Sequence, residues 1–140
     1  MSTMKTLIVE DDAMNRELLV EFFSEYGQVK SAGNGFSALD LFQDASLQGK
    51  PFDLICMDIM MPDLDGQQAL KEIRELETDK GLESKDIVKV IMMTGLDDRE
   101  NVTNAYVEGG CHGYLTKPVA TKDIVALLAQ LGLVEESDED

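Results

Sequence analysis

The chain predicts a doubly wound α/β domain, with a parallel sheet covered by helices on both faces. Short apolar runs alternate with segments of helical period, five pairs in all, as successive βαβ units require. Four of those runs end in a polar group suited to handling phosphate. Leu7-Ile8-Val9 leads into Glu10-Asp11-Asp12, Leu54-Ile55-Cys56-Met57 into Asp58, Val90-Ile91-Met92-Met93 into Thr94, and Gly113-Tyr114-Leu115-Thr116 into Lys117-Pro118. If the runs are neighbouring parallel strands, all four groups collect on one edge of one sheet, where open α/β sheets bind their ligands. A length of 140 residues suits one domain, since domains commonly hold ~100–150.

The first strand is predicted over 6–10. The helix after it, over 14–26, places Leu18, Leu19, Phe22 and Phe23 on one face and closes at Gly27. A second strand follows over 28–32, a second helix over 36–45 and a third strand over 54–57. The third helix, over 67–76, turns Leu70, Ile73 and Leu76 inward. Residues 77–86 are charged, contain one glycine, and read as a long surface loop before the fourth strand over 88–93. Asp97 or Asp98 can cap a fourth helix over 99–108 that ends at Gly109-Gly110. The fifth strand covers 112–115. The fifth helix opens at Thr121, carries Asp123 in its first turn, packs Ile124, Leu127, Leu128 and Leu131, and stops at Gly132. A single domain over 1–133 is expected, followed by an acidic tail over 134–140 in which five of the last six residues are acids and no apolar anchor follows Val134.

Composition excludes several classes of function. A hydrophobic share of 44% with 29% charged residues is ordinary for a globule, and no apolar run approaches the ~20 residues that cross a bilayer. No signal-peptide pattern opens the chain, so the cytoplasm is the expected compartment. The formal charge of -16, from 12 basic and 28 acidic residues, repels nucleic-acid phosphates. Cys56 and Cys111 sit in apolar contexts without a CxxC or Cys/His spacing, which favours buried free thiols over a disulfide or a zinc site.

Two carboxylates at the end of the first strand and a third at the end of the third strand would repel one another if ionised and close, and a divalent cation resolves that repulsion. Magnesium keeps several waters and takes only one or two protein carboxylates, so an open cluster of Glu10, Asp11 and Asp58 suits it better than a closed zinc or calcium cage. The bland alternative for these acids is a set of strand-end and helix-capping charges. Asp58 follows a continuous apolar strand and precedes Ile59-Met60-Met61-Pro62-Asp63-Leu64-Asp65-Gly66, whose proline and glycine impose an irregular loop. A carboxylate held there beside a metal can attack phosphorus and form an aspartyl phosphate. Thr94 offers a hydroxyl and Lys117 a point cation to hold phosphoryl oxygens during transfer. A cis Lys117-Pro118 bond would turn the lysine back over the sheet edge, whereas a trans proline would open the approach to the fifth helix.

Over residues 5–131 the chain resembles the receiver domain of two-component response regulators. The fragments that carry the resemblance are LIVEDDAMNRELL, DLICMDIMMPDLDG around Asp58, IMMTG and GCHGYLTKP. It implies a flavodoxin-like (βα)5 fold with a five-stranded parallel sheet in the order 2-1-3-4-5. It also implies Mg²⁺-dependent acceptance of a phosphoryl group on Asp58 from a sensor histidine kinase, in a signalling phosphoacceptor that assists its own phosphorylation and dephosphorylation. Arg16, five residues after the second acid, selects Glu10 and Asp11 by that resemblance. Asp11 then ligates the metal directly, Glu10 acts through water, and Met60 lends its backbone carbonyl, leaving Asp12 as a cap or surface charge. Thr94 is similar to the switch hydroxyl, Lys117 to the phosphate-binding lysine, and Tyr114 to the aromatic that swings inward on activation.

The expected output is a protein target engaged through the face of the fourth helix, fifth strand and fifth helix, with a homodimer on activation as a further option. A stand-alone chemotaxis-type regulator and a phosphorelay intermediate that hands the group to a histidine phosphotransfer protein both fit. Alternatives of another class fit less well. A haloacid-dehalogenase-like phosphatase needs a second acid where this chain has Met60, a flavodoxin-like electron carrier needs a phosphate loop after the first strand, and a silent scaffold would bind no metal. Met60 and Leu96, two positions past Asp58 and Thr94, flank the path of the hydrolytic water in the family, and both are apolar here. Slow dephosphorylation is therefore expected, because neither side chain can orient water. Timing the decay of the phosphorylated form checks this: Met60→Asn should accelerate it, and an unchanged rate counts against the idea.

Overall fold

A computed structural model describes residues 4–61, 64–83, 86–95 and 111–134. Its elements are β1 (Met4–Val9), α1 (Ala13–Phe23), β2 (Gly27–Ala32), α2 (Gly35–Leu47), β3 (Leu54–Asp58), α3 (Gly66–Asp79), β4 (Lys89–Thr94), β5 (Gly113–Thr116) and α4 (Thr121–Gln130). The five strands are parallel and ordered β2-β1-β3-β4-β5, as expected, so the first and third strands lie side by side at the centre. The fourth helix expected over 99–108, its Gly109-Gly110 stop, Leu96 and residues 135–140 of the acidic tail lie outside the described residues, while Val134 packs against the core. No described helix is long and apolar enough to cross a membrane.

Successive strand residues point to opposite faces, and here both faces are covered. Leu7, Val9, Ile55, Met57, Val90 and Met92 pack beneath α2 and α3 with Phe42, Leu70 and Ile73. Ile8, Leu54, Cys56, Ile91, Met93 and Leu115 pack beneath α1 and α4 with Leu19, Phe23, Ile124 and Leu128. Burial of each such side chain contributes about 1.5–3 kcal/mol. Local chemistry sets the helix starts. Asp12 caps α1 by accepting from the Met14 and Asn15 amides at 2.9 and 3.3 Å, Asn34 caps α2 through the Ser37 amide at 2.8 Å, and Asp65 with Gln68 closes a capping box on α3.

Three expectations need correction. The first helix ends at Phe23 rather than near Tyr26, because the Tyr26 carbonyl is taken by the Met4 amide at 2.9 Å and the chain is already turning into β2, which begins at Gly27. Leu18, expected inward with Leu19, Phe22 and Phe23, is 58% exposed. Two adjacent apolar stripes run along α1, and the sheet covers only the one carrying Leu19 and Phe23. The third helix continues past Leu76 to Asp79, and Glu77 is buried rather than part of a surface loop. Its carboxylate accepts from Arg74 Nη1 at 2.6 Å and from the Val88 amide at 2.7 Å, which ties the helix end to the entrance of β4.

Gly66 lets α3 start directly behind the end of β3. A Cβ there would stand 2.5 Å from the Asp58 carbonyl oxygen and 2.8 Å from Ile59 Cα, both backbone atoms that cannot step aside. Gly66→Ala is expected to lower stability by about 2–3 kcal/mol through overpacking, read as a shifted denaturant midpoint; an unmoved midpoint would show that the loop yields freely.

His112 clasps β5 to β4. Its backbone amide donates to the Val90 carbonyl at 2.7 Å while its Nδ1 accepts from the Val90 amide at 3.1 Å. Burial, reinforced by the charges of Arg74 and Lys89, presses the imidazole down to about 4. The folded state thus resists a proton that the unfolded chain takes near 6.5. Stability is full above that value and is lost as pH falls from 6.5 toward 4, by about 1–2 kcal/mol after allowance for solvent screening. Denaturant titrations at successive pH values should show this slope flattened in His112→Gln; equal slopes would remove His112 from the acid response.

Candidate functional site

The carboxyl ends of the three central strands and β5 bring the chemistry-bearing side chains together. Glu10 follows β1, and its amide extends the pairing to the Ala32 carbonyl at 3.1 Å. Its own carbonyl accepts from Arg16 Nη1 at 2.8 Å, and its Oε2 accepts from the Asp12 amide at 3.2 Å, so backbone and side chain are both held. Asp58 is the last residue of β3, where the Ile59 amide bonds the Met93 carbonyl at 3.0 Å and keeps the strand end pinned to β4. The Met60 amide donates back to Asp58 Oδ1 at 3.1 Å. Lys117 follows β5, anchored by its amide on the Thr94 carbonyl at 2.8 Å, and the Lys117-Pro118 bond is cis.

The Lys117 ammonium lies 2.8 Å from Asp58 Oδ2 and 3.1 Å from Glu10 Oε1. Oxygens of Glu10, Asp11 and Asp58 all lie within 4.8 Å of one another. Glu10 and Asp58 are buried and Asp11 is exposed. Two carboxylate charges at that separation repel by roughly 3 kcal/mol at an effective dielectric constant of about 20. Burial pushes the Glu10 carboxyl above its usual range, with the Asp58 charge adding to the rise and the Asp12 amide and Lys117 opposing it. Burial also works to lower the Lys117 ammonium, but the hydrogen bond and charge of Asp58, then those of Glu10, outweigh it and raise it.

This donor set fits a hard divalent cation. It is all oxygen, it is open on the Asp11 side, and the buried Glu10 Oε1 is already faced by a cation, the Lys117 ammonium at 3.1 Å. Thr94 is buried at the end of β4, its hydroxyl donating to the Gly95 carbonyl at 3.2 Å. Tyr114 is 45% exposed on β5 between buried Gly113 and Leu115. Cys56 and Cys111 are free and buried, and burial foremost pushes the Cys56 thiol up to about 12, so it is inert as a thiolate.

An apolar surface beside the cluster escaped the sequence reading. A cavity of about 470 Å³ opens off Glu10 and Lys117 and is walled by Leu18, Leu19, Pro118 and Val119. Met14, one turn before Leu18 on α1, is exposed as well. The only signal in the sequence is the second apolar stripe of α1, which cannot be told from a core stripe without knowing what the sheet covers.

The fold and this acidic edge define a doubly wound α/β domain with a cation-accepting cluster at its strand ends, and comparison with known proteins narrows it. A family model described as "Response regulator receiver domain" matches residues 6–129. The chain is 32% identical over 126 residues to the two-component response regulator ARR22 of Arabidopsis thaliana, covering 89% of this chain and 81% of that protein. It is 28% identical over 125 residues to the sensor histidine kinase GacS of Pseudomonas protegens, where it spans 89% of this chain but only 13% of the kinase. Among solved structures, the co-crystal of the Saccharomyces cerevisiae histidine phosphotransfer signaling protein Ypd1 with the receiver domain of its downstream response regulator Ssk1 matches with a TM-score of 0.78 and 27% identity, covering 97% of this chain and 95% of that one. The chain belongs to the response-regulator receiver family, the phosphoacceptor domains of two-component signalling.

Proposed function

We propose that Asp58 accepts a phosphoryl group from a phosphohistidine on a sensor histidine kinase or phosphotransfer protein. The observation that carries this reading is the meeting of three acids from two strands with a lysine from a third, its ammonium on Asp58 Oδ2 at 2.8 Å. A carboxylate oxygen of Asp58 attacks phosphorus, the O–P bond forms as the N–P bond breaks, and the electron pair leaves on the imidazole. Glu10, Asp11, Asp58 and the Met60 carbonyl would hold Mg²⁺, which supplies charge neutralisation at the phosphoryl oxygens. Lys117 swings from its carboxylate contacts to one of those oxygens, and the Thr94 hydroxyl turns from the Gly95 carbonyl to another. The added ~1.5–2 negative charges draw both groups inward, Tyr114 follows into the space released, and the surface that includes β5 and α4 changes shape for a partner protein, with homodimerisation on activation a further outcome. The cytoplasm, where buried free thiols persist, is the proposed compartment, and the proposed domain runs over 1–133 with an acidic tail over 134–140.

One observation favours a phosphorelay over a chemotaxis-type role: the exposed Leu18 and the apolar cavity wall lie beside Glu10 and Lys117 of the cluster, a surface on which a phosphotransfer protein can seat its histidine. The likeness to a receiver crystallised with such a protein supports it. The reading is tested by incubating the protein with a small phosphodonor and Mg²⁺ and measuring intact mass: one added phosphoryl group is expected, and none when Mg²⁺ is chelated. No uptake in the presence of Mg²⁺ would refute it.

A further inference from the structure

We infer that Arg16 is a positioning residue for the metal-binding acids, setting the Mg²⁺ affinity of the cluster by gripping the Glu10 carbonyl from α1. This rests on the reading of Glu10, Asp11 and Asp58 as a Mg²⁺ site and goes beyond it to a residue that pairs with none of their carboxylates. The first ground is what holds each acid. Glu10 Oε1 faces Lys117 at 3.1 Å and its Oε2 accepts from the Asp12 amide at 3.2 Å, while Asp58 is held by Lys117 and by the Met60 amide. Asp11 is exposed, and among the described residues its carboxylate accepts no hydrogen bond and makes no ion pair. Even so, one of its oxygens lies within 4.8 Å of the other two acids. Its backbone therefore brings it there. The peptide unit is planar from Glu10 Cα to Asp11 Cα, so whatever fixes the Glu10 carbonyl fixes the direction in which Asp11 departs. The Glu10 amide is pinned to the Ala32 carbonyl at 3.1 Å, and its carbonyl accepts from Arg16 Nη1 at 2.8 Å, which makes Arg16 the second of two clamps on this corner.

The second ground is the slot in which the guanidinium lies. Arg16 is half-buried between exposed Asn15 and Glu17, so its side chain runs along the protein rather than out into water. It crosses Gly33, the residue after β2, where a Cβ would stand 3.3 Å from Arg16 Nη1 and 3.8 Å from its Cζ, with no other atom beyond the chain neighbours within 4 Å. Gly33 is not among the glycines with positive φ. Its missing side chain thus makes room for the guanidinium and serves no left-handed turn. The use made of the charge is the third ground. In a chain of 28 acids and net charge -16, this guanidinium pairs with no carboxylate among the described residues and is spent on a neutral carbonyl. A flat fork of N–H donors suits that task better than a point charge would.

The test titrates the whole chain with Mg²⁺ in a calorimeter, with no phosphodonor present. Arg16→Met should raise the dissociation constant about tenfold, the scale on which groups that orient metal ligands tune affinity. The sign discriminates, because removing a positive charge beside three carboxylates should by Coulomb's law alone tighten the hold on a divalent cation. Gly33→Ala keeps the charge of Arg16 but pushes on its guanidinium, so it should weaken Mg²⁺ binding by a smaller factor and change nothing further when added to Arg16→Met. Phosphoryl uptake from a small phosphodonor, slowed in Arg16→Met at low Mg²⁺, should reach the parent rate as Mg²⁺ is raised, a split that general loss of structure does not produce. Binding by Arg16→Met as tight as the parent's, or tighter, would overturn the inference while leaving the Mg²⁺ site and Asp58 as acceptor intact. If Arg16→Met lacks a cooperative denaturant transition, Gly33→Ala decides alone, and unchanged affinity there overturns the inference. Failure of the parent chain to bind Mg²⁺ would overturn both.

Discussion

Asp58→Asn is expected to take up no phosphoryl group under conditions in which the parent chain takes up one. The substitution keeps the shape of the side chain and an Oδ1 that still accepts from the Met60 amide, a bond of 3.1 Å in the parent, so the end of β3 stays as it is. What it removes is the anionic oxygen that attacks phosphorus, together with one of the three negative charges of the cluster. The amide oxygen is a poor nucleophile, and the loss is all or none rather than graded. Intact mass after incubation reads it directly, with a cooperative denaturant transition as the check on folding. Uptake by the variant equal to that of the parent would place the acceptor elsewhere and remove Asp58 from the chemistry.

Lys117→Met has the next largest effect, and it acts on two quantities at once. Without the ammonium, nothing stabilises charge on the transferring group from the β5 side, and uptake from a small phosphodonor should slow by about 10²–10³-fold. In the resting protein the same change strips buried Asp58 and Glu10 of the cation at 2.8 and 3.1 Å. Stranding such charges costs ~3–5 kcal/mol when fully buried, and because the lysine is partly exposed about 1–3 kcal/mol is expected here. The sign with pH follows from the raised ammonium. Its stabilisation is fully present below the ordinary lysine value and is lost as pH rises through the higher folded one, so parent and variant should converge only in strong alkali. Glu10, raised by burial first, runs the opposite way for an acid: the fold gains stability as pH falls through that raised value, and the gain should be larger in Lys117→Met. Urea titrations from acidic to alkaline pH check both trends, and a variant as stable as the parent at neutral pH would refute the account.

The fold was legible because its signals are local and repeated. Runs such as Leu54 to Met57 are apolar at every position, which only a strand buried on both faces tolerates, and both faces of β3 are indeed covered. Asp12 and Asp65 announce helix starts through bonds to amides at most three residues away. The candidate site was legible for a related reason: in a parallel sheet every strand ends on the same edge, so polar residues at strand ends converge without any knowledge of distances. Leu18 and Glu77 were misplaced because burial is a property of what lies across a helix. Leu18 has the composition and spacing of a core residue but no sheet over it, and Glu77 has the look of a surface acid but meets the Val88 amide as the chain enters β4.

Residue order thus settled which chemical groups this protein possesses and which strand ends carry them, since pattern and capping act over a few neighbouring positions. Packing in three dimensions decided the rest: that one lysine bridges Asp58 and Glu10, that Glu10 is buried while Asp11 faces water, and that Leu18 stands exposed on the cavity beside them. Those outcomes depend on crossings between segments far apart in the chain, where separations of an ångström set the balance between Coulomb attraction and desolvation, and no periodicity in a sequence encodes them.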